Sequence, residues 1–338
     1  MSLLKGRDYY KPFEYPWAHE AWLLQQKMHW LPEEVPLYED VKDWRKKLTV
    51  NERNLLTNIF RFFTQADVDV ASGYLHKYIP VFGNKPEISS MLASFANIET
   101  IHMAAYSHLL DTVGMPETEY QAFHEYKEMK DKHDYIGQFN PTLVRGISQE
   151  KGEYEKEIAL SLAVYSGFTE GLQLFSSFAI LLNFPRQNKM KGMGQIITWS
   201  VRDESLHVEY MIKLFRTFIK ENKFIWTDDF KRQIYDAARK MVDLEDKFID
   251  LAFASGGVEG ITAEEVKQYV RYLADRRLLQ LGLKTEFKVK ENPLDWMEEI
   301  LNNNEHANFF ETRATEYSKA SLTGSWEDVF PMEKTDAA

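Results

Sequence analysis

The sequence predicts an all-α protein, a single large helical bundle, on three observations. Apolar residues recur at steps of three and four over long stretches. Period-two alternation over the length of a strand is hard to find, and no Gly/Ser-rich linker divides the chain.

The helices follow in order. Thr49 and Glu52 form a capping box, and apolar residues at 55, 56, 59, 60 and 63 then mark a helix that Pro80 is expected to end. A second helix starts near Pro86 and carries Met91, Leu92, Phe95, Ile98, His102, Tyr106 and Leu109 along one stripe, stopping at Gly114 before Pro116. A third covers about 150–183. A fourth is expected after Gly194, with Ile197, Val201, Glu204, Val208, Met211 and Phe215 on one face. Two more are expected at about 226–254 and 262–281, the last with a Thr262/Glu265 box and a Gly282 stop.

Composition excludes several functions. The 338 residues carry a net charge of -11 and no dense Lys/Arg run, which argues against nucleic acid or an anionic membrane surface as the main partner. There is no cysteine, so disulfides, thiolate zinc sites, iron–sulfur clusters and thiol nucleophiles are excluded within this chain. The N-terminal "MSLLKGRDYYKPFEYPW" lacks the continuous apolar core of a secretory signal, and the expected location is the cytoplasm. The stretch 158–184 superficially resembles a membrane span. Glu170 and Gln173 near its centre fit a buried helix with a functional acid better than a lone span in lipid.

Two short motifs carry the chemistry. "ETIH" at 99–102 and "DESLH" at 203–207 each place Glu-x-x-His inside an apolar helix. Burying a carboxylate costs several kcal/mol unless a partner neutralises it, so the repetition needs a physical cause. Residues three apart on a helix face nearly the same way, so Glu99 with His102, and Glu204 with His207, can each converge on one ion. Each motif is preceded by an acid on the previous helix: Asp67 lies 32 residues before Glu99, and Glu170 lies 34 before Glu204. Asp69 competes with Asp67, but the stripe through Phe60 and Phe63 puts Asp67 on the buried side.

Four carboxylates and two imidazoles, one nitrogen per ion, suit a pair of divalent iron or manganese ions. This matches the known bundle-core arrangement of ferritin-like di-iron and di-manganese carboxylate proteins. One Glu-x-x-His alone would more often be a solvated helix face; two in apolar stripes, each with its preceding acid, are not. Tyr106 lies seven residues after Glu99 and four after His102, about 10 Å along the axis from Glu99. Elsewhere such a tyrosine would be core packing; beside an oxygen-activating metal pair it is a candidate for one-electron oxidation.

In order along the chain, "ADVDV", "ETIHMAAY", "FTEGLQLF" and "RDESLH" resemble the small, radical-generating beta subunit of class I ribonucleotide reductase. "HWLPEEV" resembles the family segment whose tryptophan passes electrons, here Trp30, and Asp203 matches the acid that links it to a metal-bound histidine, here His102. "NFFETRATEY" resembles the last ordered family segment, with Tyr317 as the relay to the other subunit. The resemblance implies a ferritin-like helical domain over 1–317, with a dinuclear centre in a four-helix core plus additional helices. It implies a flexible tail over 318–338, with Trp326 and Phe330 as anchors, that docks on the large (alpha) subunit.

Further implications are a homodimer and an iron pair, with a manganese pair or mixed manganese–iron pair sharing the same ligands. The oxidant would be dioxygen, or superoxide from an activating flavoprotein. Because the family reduces ribonucleotides with cysteines on the large subunit, a cysteine-free chain would generate and store the oxidising equivalent, at Tyr106 or on the metals. The alternatives are a ferritin-like di-metal oxidase or monooxygenase, which would not need Trp30, Asp203 or Tyr317, and an iron-storage or structural bundle.

Overall fold

Thr49 caps its helix as expected: its hydroxyl accepts from the Glu52 amide while the Glu52 carboxylate accepts from the Thr49 amide. That helix belongs to a computed structural model that describes residues 2–139 and 152–301. In order, the helices used below are α1 (Pro16–Lys27), α2 (Tyr38–Lys42), α3 (Val50–Gly73), α4 (Pro86–Val113), α5 (Thr118–Ala122), α6 (Lys127–Gly137), α7 (Glu153–Arg186), α8 (Lys191–Glu221), α9 (Asp228–Ala252) and α10 (Ala263–Leu281). Among the described residues there is no strand, only an isolated bridge between Val258 and Ile261. The helical fold class and the four-helix origin of the site are both observed. Tyr317 and the tail 318–338 lie outside the described residues.

Two helix limits differ from expectation. Pro80 does not end α3; the chain passes through a π turn, Tyr74–Tyr78, into a further short turn, Ile79–Phe82. Pro80 then occupies a first-turn position, where a missing N–H is tolerated. The stop comes at Gly83. The fourth long helix begins at Lys191 rather than after Gly194. Its first amides are capped from a distance: Asp40 of α2 accepts from Gly192 N at 2.9 Å and Met193 N at 2.7 Å. A Cβ on Gly192 would lie 2.7 Å from the Pro36 carbonyl, so glycine is what lets α2 approach.

The core helix α7 joins an α-helical start, Glu153–Leu162, to a π-helical run, Ala163–Leu174, and an α-helical end, Phe175–Arg186. It is the described helix long and apolar enough to cross a membrane, yet 94% of its most apolar stretch is buried within the protein. It packs on α8, α9 and α10, while α4 packs on α3 and α1. Its apolar character is therefore that of a helix surrounded by other helices. α1, α2 and α6, which the periodicity does not single out, cover the bundle, and α1 matters to the site.

Candidate metal centre

α3, α4, α7 and α8 each aim acids at one point in the bundle. Asp67, Glu99, His102, Glu170, Glu204 and His207 are all buried, with at most 2% of any side chain exposed. The decision between the two aspartates on α3 is clear: Asp67 enters the core, while Asp69 stays near the surface, paired with His133 Nδ1 at 2.6 Å.

The six fall into two groups that share Glu99. Ligand atoms of Asp67, Glu99 and His102 lie within 4.8 Å of one another, and so do those of Glu99, Glu170, Glu204 and His207. Glu204 also reaches the first group, its Oε1 lying 3.3 Å from His102 Nδ1. Two carboxylates thus stand between two sets of terminal groups, each set having one imidazole.

Both imidazoles present Nδ1 to the centre and are anchored at Nε2. His102 Nε2 is 3.3 Å from Asp203 Oδ2, which also accepts from Trp30 Nε1 at 2.8 Å. His207 Nε2 is 3.1 Å from Gln25 Oε1, and the amide of Gln25 donates to Asp203 Oδ1 at 3.2 Å. An acceptor at each outer nitrogen favours keeping a proton there, so that the inner nitrogen can ligate once it gives up its own proton. Trp30 is buried and its ring lies 6.0 Å from that of His102 and 5.1 Å from Trp199. Trp30, Asp203 and His102 therefore form one hydrogen-bonded line into the centre.

Sequence reasoning missed two groups. Gln25 of α1 is buried and joins Asp203 to His207, but in "AWLLQQKMHW" nothing separates it from a surface glutamine. Tyr74, at the start of the π turn after α3, donates to Glu170 Oε1 at 2.5 Å. Its distance of seven residues from Asp67, two turns, is the one signal that places it on the same face. Tyr106 is buried against Phe63, with ring centroids 4.8 Å apart, and its hydroxyl donates to Ser200 Oγ at 3.2 Å.

Charge sets what the cluster needs. Burial pushes Asp67 well above the carboxylate range, Glu99 adding to the effect, and burial lifts Glu170 to about 7. Burial opposes the charge of Glu99 as well, but His102 beside it holds it below its usual value. Burial also opposes charge on the imidazoles, yet Glu99 at His102, and Glu170, Glu204 and Glu99 at His207, hold both protonated well above the ordinary histidine range. Protons thus act as the counter-charge of this cluster.

Those protons leave much unsatisfied. Asp67 Oδ2, Glu99 Oε1, both Glu204 oxygens and His207 Nδ1 are buried without a hydrogen bond. Several are close in pairs, such as Glu99 Oε1 to His207 Nδ1 at 3.0 Å, but not aligned for hydrogen bonds. Five such atoms facing one point, in a set of four carboxylates and two imidazoles, fit two divalent ions.

Residues 7–293 match the family of the ribonucleotide reductase small chain. A protein of Invertebrate iridescent virus 6, described as a probable ribonucleoside-diphosphate reductase small subunit, is 46% identical over 98% of this chain and 99% of its own. The ribonucleoside-diphosphate reductase subunit beta of Chlamydia pneumoniae is 31% identical over 91% of this chain and 89% of its own. Among solved structures, the ribonucleotide reductase R2 subunit from Clostridium botulinum shares the fold with a TM-score of 0.77 at 23% identity, covering 89% of this chain and 94% of that one.

Proposed function

The chain belongs to the ribonucleotide reductase small-chain family, and on that premise we propose how its buried centre serves the enzyme. As the small subunit of a ribonucleoside-diphosphate reductase it carries a dinuclear metal site and partners a large subunit. In our reading Asp67, Glu99 and His102 hold one ion and Glu170, Glu204 and His207 the other, with Glu99 and Glu204 between them. The five buried atoms without hydrogen bonds carry this assignment. When bound, the metal pair would, on reaction with dioxygen or superoxide, supply a one-electron oxidising equivalent, while the cysteines that reduce the ribonucleotide would have to come from the large subunit.

The chain's own residues do the rest. Asp203 holds the Trp30 indole N–H and the outer nitrogen of His102 on one oxygen, linking the tryptophan to the centre. This line favours the reductase over a di-metal oxidase, which has no need of it. Buried Phe63 and the surrounding core exclude water from Tyr106, whose phenol stays protonated because burial, then the charge of Asp67, raises its pKa. Tyr106 is the residue we assign to store the oxidising equivalent. Trp30 and Tyr317 relay it to the large subunit, the tail 318–338 docks there, and the subunit works as a homodimer. Either iron or manganese suits the oxygen-rich ligands, iron being our first choice.

Metal analysis and electron paramagnetic resonance after aerobic activation test this on protein loaded with iron or with manganese. Wild type is expected to hold about two ions per chain and give a tyrosyl signal that Tyr106→Phe lacks, while Glu204→Ala loses metal. A multiline metal signal that survives Tyr106→Phe would move the oxidising equivalent off that tyrosine. Normal metal occupancy in Glu204→Ala would reject the ligand assignment.

A further inference from the structure

Each terminal group of the second subsite is held from outside by one neutral side chain. His207 is held by Gln25, as described above. Glu170 is held by the phenol of Tyr74, whose O–H donates to Glu170 Oε1 at 2.5 Å, while the same oxygen lies 3.7 Å from His207 Nδ1. The Tyr74 ring also packs edge-on against the imidazole of His207, with centroids 5.9 Å apart and planes at 76°. It touches both side chains that belong to this subsite alone.

The backbone makes this contact specific. Tyr74 opens the π turn that follows α3, and Glu170 sits inside the π-helical run of α7. A π turn widens the helix and shifts the register of the side chains that follow, and such turns occur often at functional sites. Burying a phenol beside a carboxylate is favourable only with the hydrogen bond made. Tyr78, at the far end of the same π turn, is a built-in comparison: it is also buried and packs against the Tyr74 ring, but its hydroxyl donates to the Ser161 carbonyl at 3.1 Å rather than to any of the six acids and imidazoles.

We propose that Tyr74 is a positioning residue for the second metal subsite: its hydroxyl fixes the Glu170 carboxylate against His207 and so sets the affinity of that subsite, leaving the first to Asp67 and His102. The inference rests on Glu170 and His207 being metal ligands. Removing an outer hydrogen-bond partner of a ligand typically lowers metal affinity roughly 10- to 100-fold.

The test is anaerobic titration of the full chain with Mn(II) alone, free ion being read by electron paramagnetic resonance, for wild type, Tyr74→Phe and Tyr78→Phe. Thermal melts of the metal-free proteins run alongside. The expected result is two ions per chain in wild type and Tyr78→Phe. Tyr74→Phe should bind one ion as wild type does and the second about tenfold more weakly, or worse. Wild-type affinity at both subsites in Tyr74→Phe overturns the inference while leaving the two-metal reading intact. Equal weakening in Tyr78→Phe also overturns it, since loss of any phenol from the turn would then suffice. If wild type fails to bind two ions, the metal reading falls and this inference with it.

Discussion

At the scale of single residues the site is a problem of charge. Glu170 titrates near 7 in the metal-free protein against an ordinary value of 4.5, so the folded state holds its proton more tightly than the unfolded chain does. Its contribution to stability is present at low pH and fades as pH climbs from about 4.5 to about 7. His102 and His207 act in the same direction: with folded pKa values above the ordinary 6.5, their contribution is complete below 6.5 and is lost as pH rises through the folded values. Glu99, held low, opposes this only in acid, near its ordinary 4.5. The metal-free protein should therefore melt at a lower temperature at about pH 8 than at about pH 6. Divalent ions compete with the same protons, so the rise in Tm on adding Mn(II) should be larger at the higher pH. Calorimetry at both pH values checks this; a rise that does not change with pH would mean that metal and protons do not share these groups.

The same scale shows how much of the site the sequence could give. Glu99, His102, Glu204 and His207 were legible because an acid and an imidazole at Glu-x-x-His spacing, both facing an apolar core, need a counter-charge they can share. Asp67 could be chosen over Asp69 from helical phase alone. Gln25 could not be found in this way. Its role depends on α1 lying beside α8 so that one amide meets both Asp203 and His207, and no local pattern encodes that approach.

At the scale of elements, two helices are shaped by contacts from elsewhere in the chain. The N-terminus of α8 is capped by Asp40, across 152 residues of sequence for Gly192 and 153 for Met193. Such a cap contributes about 1–2 kcal/mol, because the first amides of a helix have no partner within it. Asp40→Ala should lower unfolding stability by about that much in urea melts without changing helix content. A variant as stable as wild type would show that solvent can replace the carboxylate. The π-helical run of α7 is held in a related way. Buried Arg277 of α10 donates from Nε to the Gly171 carbonyl at 2.8 Å, and a Cβ on Gly171 would come within 2.6 Å of that nitrogen. Glycine beside Glu170 thus admits a donor to the backbone that carries a proposed ligand. From the sequence this region reads as an ordinary apolar helix, since π and α helices draw on the same residues.

At the scale of the whole molecule, the division expected at residue 317 would separate a metal-binding bundle from a docking tail. The six acids and imidazoles, and the described groups that hydrogen-bond to them, all lie within 25–207. Truncation after Tyr317 should accordingly leave two-metal loading unchanged and abolish binding to the large subunit, measured by surface plasmon resonance with that subunit immobilised. Full binding by the truncated chain would move the docking surface onto the bundle. Another buried ion pair, Lys132 with Glu245 at 2.6 Å, joins α6 to α9 away from the centre, so not every buried charge in this fold marks chemistry. That pair leaves one buried atom of each partner without a hydrogen bond, against five such atoms at the centre, where four carboxylates and two imidazoles also lie together.

The sequence by itself determined the helical class, the six acids and imidazoles brought together and the tyrosine on their face, while Trp30 and Asp203 came only from the resemblance to a family. It could do so because helical period and residue chemistry are local, and because acids buried at regular spacing need a common counter-charge. Only the tertiary structure decided that α8 begins at Lys191, that the helical path after α3 continues through Pro80 to Gly83, and that Gln25 and Tyr74 reach His207 and Glu170. Those outcomes depend on partners far apart in the chain: a carboxylate that caps a helix end, a π turn that moves a phenol by part of a turn, and an amide that reaches two side chains at once. Their energies belong to contacts between elements, which a reading of one element at a time does not contain.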